Sequence, residues 1–344
     1  MTKADRTFLS NHFLMKKSTN SAVGIDVSSE TLDVYLLEGD NNGVHQVFSN
    51  NEKGLKKCIS FFKKNEFNGR IVMESTGRYH FLCAVMLREA GFSAFVINPL
   101  IVKKYHTANI RKCKTDKQDA KMLAQVALLE KNLIPFAKDR ADLAIRQKIS
   151  TLKSLEKTLQ RVKSSFLNYR NTMEELGESM TETEDSIMAT ITTLDKQKNK
   201  LEKEITEIIK EKYDNNKFEI LCSIPGVSPF LASLILFFFS SEEGTKTGKW
   251  VAFCGLEIST QQSGKWQGKG RLSKRGNKYL RKRLFAGGWG CFMNNEYFKK
   301  YYYELRENNR RGHVEALNII SRKIVRISFS LLKNNTFFDP ARCF

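Results

Sequence analysis

Between Leu152 and Met173 the apolar residues Leu152, Leu155, Leu159, Val162, Phe166, Tyr169 and Met173 return at strictly alternating steps of three and four. That is the heptad spacing of a helix which buries one seam against another helix. A second seam, Ile187, Ile191, Leu194, Leu201, Ile205 and Ile208, keeps the rhythm with Lys198 at one core position. The stretch between them, Leu176 to Thr183, is polar and carries a glycine, so two helices folded back as a hairpin fit the pattern. Heptads dictate that helices pair but not with which partner. The hairpin is therefore either a spacer within one chain or an arm between chains.

Ahead of the hairpin the periodicity is different. Residues 1–20 are polar and aperiodic and read as a flexible tail. Short β-rich runs follow (Ala22 to Val27, Thr31 to Leu37, Val44 to Phe48), separated by Asp, Asn and Gly turns. The pattern then alternates: helix from Leu55 to Phe62, strand from Arg70 to Glu74, helix from Phe81 to Ala90, strand from Phe92 to Ile97, helix from Lys117 to Leu129. Three strands followed by such alternation predict an α/β sheet with an antiparallel edge over residues 21–140. The hairpin takes residues 141–214. The last part, 215–344, opens with an apolar helix around Leu231 to Phe239 and runs into sequence rich in Gly, Lys and Arg. A chain of 344 residues suits two globular units and a connector.

The balance of 57 Lys and Arg against 37 Asp and Glu, a formal net charge of +20, makes a polyanion the expected partner, nucleic acid first. The seven cysteines show no C-x-x-C or C-x-x-H spacing, and an odd number argues against a disulfide framework, so reduced thiols are expected. There is no run of about 18 apolar residues and no signal-like segment at the start. A cytoplasmic protein without a membrane partner is the expectation.

Four acids stand out against this background. Asp26 sits in Ala-Val-Gly-Ile-Asp-Val, where alternation puts Ala22, Gly24 and Asp26 on one face of a strand. An ionised Asp beside a core is costly unless something neutralises it. Glu74 closes Ile-Val-Met-Glu, so its carboxylate projects from a strand end, where α/β sheets place ligands. Asp116 and Asp119 lie three apart on one face at the start of a helix. Each has a structural explanation of its own; Thr115 and Gln118 form a capping box, and acids in a first turn suit the helix dipole. Together they make an oxygen-rich set suited to Mg²⁺ or Mn²⁺, the ions that stabilise attacking and leaving oxygens in phosphoryl transfer.

The strings Gly-Ile-Asp-Val-Ser at 24–28, Glu-Ser-Thr-Gly at 74–77, Val-Ile-Asn-Pro at 96–99 and Lys-Thr-Asp-Lys-Gln-Asp-Ala-Lys-Met-Leu-Ala at 114–124 resemble the DEDD transposases of bacterial insertion sequences. That family includes the Piv invertases and the bridge-RNA-guided recombinases. The resemblance covers residues 22–340 and implies a ribonuclease-H-like (RuvC-like) N-terminal domain followed by a mainly α-helical C-terminal transposase domain. It implies Asp26, Glu74, Asp116 and Asp119 as catalytic, metal-binding acids. It further implies DNA as substrate, a non-coding bridge RNA as guide, and a homo-oligomer, dimer or tetramer, for synapsis.

In the C-terminal part, Leu221-Cys222-Ser223-Ile224-Pro225-Gly226-Val227-Ser228-Pro229 looks like a helix-hairpin-helix turn. Where the family commonly has Gly this chain has Ser228, so either a phosphate contact or a plain turn capped by serine is open. Phe253-Cys254-Gly255-Leu256, Gln262-Ser263-Gly264-Lys265 and Ser273-Lys274-Arg275-Gly276-Asn277 resemble the family's transposase signature, in which the serine before Gly is the nucleophile; Ser263 matches it. Between Gly264 and Arg283 there are nine basic residues and no acidic one. Lys265, Lys269, Arg271, Lys274, Arg275, Lys278 and Arg281 are the expected phosphate contacts, positioning nucleic acid rather than reading its sequence. Trp250, Trp266 and Tyr279 suit either base stacking or the core.

The resulting expectation is a recombinase that cuts and rejoins DNA through a covalent phosphoserine at Ser263, assisted by the four carboxylates and their metal. No G-x-x-x-x-G-K-[ST] loop is present, so bond energy must be conserved in the intermediate rather than supplied by ATP. The main rival is a RuvC-like nuclease or junction resolvase using water, in which Ser263 has no task. A non-catalytic nucleic-acid-binding protein is the third reading, in which the carboxylates have none.

Overall fold

The computed structural model describes residues 21–39, 42–75, 77–106, 115–178, 181–239, 246–259, 262–263, 266–267, 270–308 and 310–342. The chain divides into two compact units, Met1–Leu143 and Ala144–Phe344.

The first unit is built on a mixed five-stranded sheet in the order β3-β2-β1-β4-β5. Its strands are β1 (Ser21–Val27), β2 (Thr31–Glu38), β3 (Asn42–Ser49), β4 (Arg70–Glu74) and β5 (Ser93–Ile97). β1, β2 and β3 pair antiparallel, and β4 and β5 add to β1 in parallel, as a chain that turns from hairpins to crossovers requires. The crossovers are α1 (Glu52–Lys64) and α2 (His80–Glu89). These two helices cover one face, packing Leu55, Phe62, Cys83 and Leu87 on Val23, Ile25, Leu36, Ile71 and Met73.

The opposite face is covered by α3 (Pro99–His106) and α4 (Asp116–Leu129). Here Met122, Leu123 and Val126 meet Ala22, Val72, Phe95 and Val102, while Ala120 and Ala124 meet Tyr35 and Leu37. Alternation thus divides β1 as its sequence predicts: Val23, Ile25 and Val27 to one layer, Ala22, Gly24 and Asp26 to the other. Helix α3 had no counterpart in the sequence reading, because eight residues behind a proline show too short a period to stand out.

Helix α5 (Arg140–Leu176), which enters the second unit at Ala144, and α6 (Thr181–Lys212) carry the two heptad seams. They run antiparallel: Lys148 Nζ lies 2.5 Å from Glu204 Oε1 near one end and Arg170 Nε 3.7 Å from Glu184 Oε1 near the other. At the base Ile145, Ile149, Leu152, Ile205 and Ile209 sink into the helical core. Farther out the seam is half-buried at Phe166, Met173 and Ile187, and Tyr169 is 36% exposed.

That core centres on α8 (Pro229–Phe239), nearly every side chain of which is buried. Around it lie α7 (Asn215–Cys222), α9 (Thr247–Phe253), α10 (Lys278–Asn294), α11 (Glu296–Glu307) and α12 (His313–Asn334). Ser228 caps α8, its Oγ accepting from the Leu231 N–H at 3.2 Å, and Gly226 takes φ +80° where a Cβ would stand 2.2 Å from the Cys291 nitrogen. The Ile-Pro-Gly-Val turn is therefore fitted against the backbone of α10. The glycine-rich segment before α10 is more than a solvated loop, since β6 (Ile258–Ser259) pairs β9 (Arg271–Leu272) and β7 (Gln262–Ser263) pairs β8 (Trp266–Gln267). No helix among the described residues is long and apolar enough to cross a membrane. Cys58, Cys83, Cys222, Cys254 and Cys291 are all free thiols; Cys113 and Cys343 lie outside the described residues.

Candidate active site

Gly24 explains how the acids of the first unit come to be neighbours. A Cβ built on it would stand 2.0 Å from the Ala120 carbonyl oxygen and 2.3 Å from the Ala124 nitrogen, so α4 lies directly on the backbone of β1. Only glycine permits that approach. Two residues along the strand on the same face is Asp26, and Asp116 and Asp119 occupy the first turn of the helix. That helix start is well defined: Thr115 Oγ1 accepts from the Gln118 N–H at 3.3 Å. Glu74 ends β4, next to β1; the register matches Ile25 with Met73, so Asp26 and Glu74 are adjacent at the ends of parallel strands and face the same way.

The electrostatics follow from this layout. Burial, then the negative charges of Asp119, Asp116 and Asp33, push the Asp26 carboxyl up to about 6, against a hydrogen bond with the Val27 backbone that favours ionisation. Asp26, Glu74 and Asp119 are half-buried and Asp116 is exposed. The acids are neighbours rather than a converged set: among the described residues no three His, Cys, Asp or Glu side chains stand close enough together to grip an ion. An all-oxygen donor set around a carboxyl that resists ionisation nevertheless has the chemistry of a hard divalent cation site.

Asp33 escaped the sequence reading. It lies directly across the antiparallel pair from Asp26, and its Oδ1 is 2.9 Å from His45 Nε2 on β3. The signal available was an acid seven residues beyond Asp26 in the next β-rich run, whose facing depends on hairpin register. Thr76 and Lys114, in the motifs that flank the acids, lie outside the described residues.

In the second unit Ser263 is the last residue of β7 and pairs with Trp266 of β8. Its backbone alone is described, and Gly264, Lys265 and Lys269 lie outside the described residues. Arg271, Lys274, Arg275 and Lys278 are exposed, and they cluster ahead of or at the N-terminus of α10, whose first amides are capped by Asn277. Lys274 holds φ +53°, a left-handed conformation that tightens this bend.

Other cations of the block have partners inside the unit. Arg281 donates to the Cys254 carbonyl at 3.0 Å, Lys282 lies 3.0 Å from Glu156, and Arg283 bridges Glu156 and Glu202. Trp250 stacks on Phe239 with ring centres 3.9 Å apart, and Tyr279 is buried with its hydroxyl donating to Glu156 at 2.7 Å. Both belong to the core. Burial and the bond to Glu156 raise the Tyr279 hydroxyl well above its ordinary value, as suits a permanent donor.

Comparison with known proteins adds independent findings. A DEDD-type family model described as transposase matches residues 23–173, and the model of the transposase IS116/IS110/IS902 family matches residues 218–303. The chain is similar to the pilin gene-inverting protein of Moraxella bovis, 24% identical over 327 residues that span 92% of this chain and 97% of the relative. It is also similar to a probable family 20 transposase of Pseudomonas aeruginosa, 24% identical over 353 aligned residues spanning 93% of this chain and 99% of that protein. An insertion element IS110 protein of Streptomyces coelicolor is 24% identical over 155 residues, 45% of this chain and 37% of the relative.

Proposed function

Because the chain belongs to the DEDD transposases of the IS110 type, enzymes of DNA recombination, we propose that it cuts and rejoins DNA through a covalent phosphoserine at Ser263. The observation that carries the reading is the contact of α4 on Gly24, which makes neighbours of Asp26, Asp116 and Asp119 beside Glu74. The strand order, with two antiparallel pairs followed by two parallel ones, supports a ribonuclease-H-like class for this unit.

Asp26, Glu74, Asp116 and Asp119 are the residues that would hold Mg²⁺ or Mn²⁺. Such an ion, when bound, supplies charge neutralisation at the phosphate and lowers the cost of ionising an attacking hydroxyl. The chain's own groups do the rest. Ser263 Oγ forms a bond to phosphorus as one backbone P–O bond breaks; its proton passes to a nearby base or to water, and the departing strand oxygen takes up a proton to leave as a free hydroxyl. The hydroxyl of an incoming strand then displaces Ser263, so the number of phosphoester bonds is unchanged and no ATP is needed. Exposed Arg271, Lys274, Arg275 and Lys278 hold phosphates in place.

A non-coding bridge RNA as guide and self-association through the α5–α6 hairpin complete the proposal. The surplus of 57 basic over 37 acidic residues supports the first, and the exposure of the seam residue Tyr169 supports the second. The deciding experiment stops a reaction midway by denaturation and maps DNA-linked peptides by mass spectrometry. An adduct on the peptide containing Ser263, lost in Ser263→Ala together with strand exchange, is the expected result. Normal cleavage by Ser263→Ala with no adduct would replace this reading with a water-dependent nuclease.

A further inference from the structure

Outside the glycine-rich basic segment, the second unit carries a cavity of about 400 Å³ between α11, α12 and the chain after α12. Its wall is unusual in charge. Arg322 and Arg326 stand one turn apart on α12, on the same face, an arrangement in which like charges repel. Among the described residues neither has an ion-pair partner. Burial, and then the charge of Arg326, pull the half-buried Arg322 guanidinium below its ordinary value. Asp339 is the one carboxylate on the described wall, and Arg342 already lies 3.5 Å from it. Lys323 adds a fourth cation, its Nζ 4.3 Å from the centre of the Tyr301 ring. At the rim Phe337 is 57% exposed.

We propose that this cavity is a second nucleic-acid site, taking one unstacked nucleotide of a single strand with its phosphate on Arg322 and Arg326 and its base on Phe337. Two arginines held together with no acid paired to them among the described residues are costly unless an anion lies between them, and planar guanidinium groups suit a phosphate. An exposed phenyl ring beside them supplies the sequence-tolerant stacking platform that single-strand sites use. The cavity is of a size for one nucleotide and not for a duplex, whose bases are stacked away. A protein partner would need carboxylates to meet this wall and would leave Phe337 without a specific task. The inference rests on the proposal that the chain works on nucleic acid. It adds a place for a strand that lies outside the block from Gly264 to Arg283.

The test measures binding of full-length protein to a fluorescein-labelled single strand of about 20 nucleotides, once as oligo-dT and once as oligo-U, across a range of salt. For Arg322→Ala/Arg326→Ala the expected result is weaker binding and a log K against log salt slope shallower by about 0.7, the share of one phosphate. Phe337→Ala should weaken binding about tenfold with the slope unchanged. The strand type that shows these losses identifies the ligand as DNA or RNA. Should the double variant fold poorly, exposed Arg326→Ala alone should still weaken binding and flatten the slope by part of that amount. Unchanged affinity and slope in all variants, with the unaltered protein binding both strands, would overturn the proposal and leave the cavity to another class of partner. Cleavage of duplex DNA by the same preparations reports separately on the proposed function, so the two can fail independently.

Discussion

Asp26 and Asp33 face each other directly across the antiparallel β1–β2 pair, with His45 Nε2 2.9 Å from the far carboxylate. Like charges in that position destabilise a strand pair, and Asp26 is raised from 3.8 to about 6 with Asp33 among the causes. A carboxyl whose folded pKa is raised contributes stability that is full below its unfolded value, near 4, and is lost as pH rises through 6. In chelator, Asp26→Asn should therefore be the more stable protein at pH 8, by roughly 1 kcal/mol once solvent screening is allowed for, with the advantage vanishing near pH 4. Urea unfolding at both pH values checks this. Parallel curves for the two proteins would mean that Asp26 ionises like any surface acid.

The four acids assigned to metal binding should be separable from folding. Asp26→Asn, Glu74→Gln, Asp116→Asn and Asp119→Asn are expected to lower strand cleavage at least about a hundredfold each while leaving thermal unfolding within a few degrees. Wild-type protein should also gain stability on addition of Mg²⁺, and the variants should gain less. Near-normal cleavage by any two of the four would remove the assignment.

Gly24→Ala tests whether the close approach of α4 matters to the site as well as to the fold. The added methyl meets backbone at Ala120 and Ala124, which cannot swing aside as a side chain can. A loss of about 1–3 kcal/mol is expected, together with weaker Mg²⁺ binding by the folded fraction, since the acids on α4 must move outward. Calorimetric titration below the unfolding temperature distinguishes the two effects; metal affinity equal to wild type would show that the acids hold their places without the contact.

Arg283 bridges Glu156 on α5 and Glu202 on α6 from its place on α10, and its guanidinium lies over the Tyr279 ring. Removing the cation leaves half-buried Glu202 without it, while Glu156 keeps Lys282 and the Tyr279 hydroxyl. Arg283→Ala should cost about 1–3 kcal/mol, and Glu202→Gln in that background should recover part of it. Denaturant midpoints for the three proteins measure this. Equal midpoints for Arg283→Ala and wild type would reduce the bridge to a surface contact.

How much of this was readable beforehand varies with the kind of information each feature needs. The alternation of Ala22 to Val27 and the Thr115 cap are local, and both elements lie where their residues indicate. The heptads between Leu152 and Ile208 name helices correctly, but not that Ile145, Ile149, Leu152, Ile205 and Ile209 sink into a shared helical core, because periodicity does not identify a partner. Asp33 was missed for a related reason: its place opposite Asp26 is a matter of register between strands. The two-residue pairings around Ser263 are shorter than any period, and the fate of Trp250 and Tyr279 depends on what packs over them. The cavity on α12 draws on α11 and on residues after Thr336, which no single window of sequence brings together.

The helix Pro229–Phe239 is synthesised before part of what covers it. Its side chains are buried on all sides, partly by α6 and α7, which precede it, and partly by α10, which follows. A ribosome adds roughly 5–20 residues per second, so the run Phe-Leu-Ala-Ser-Leu-Ile-Leu-Phe-Phe-Phe emerges and waits several seconds before Lys278–Asn294 exists to cover it. During that interval the nascent protein presents an uninterrupted greasy segment to the cell, a binding site for chaperones and a seed for aggregation. The yield of active enzyme is thus set in part at synthesis, and slowing translation after Phe239 should lower the soluble fraction without altering a single contact in the finished molecule.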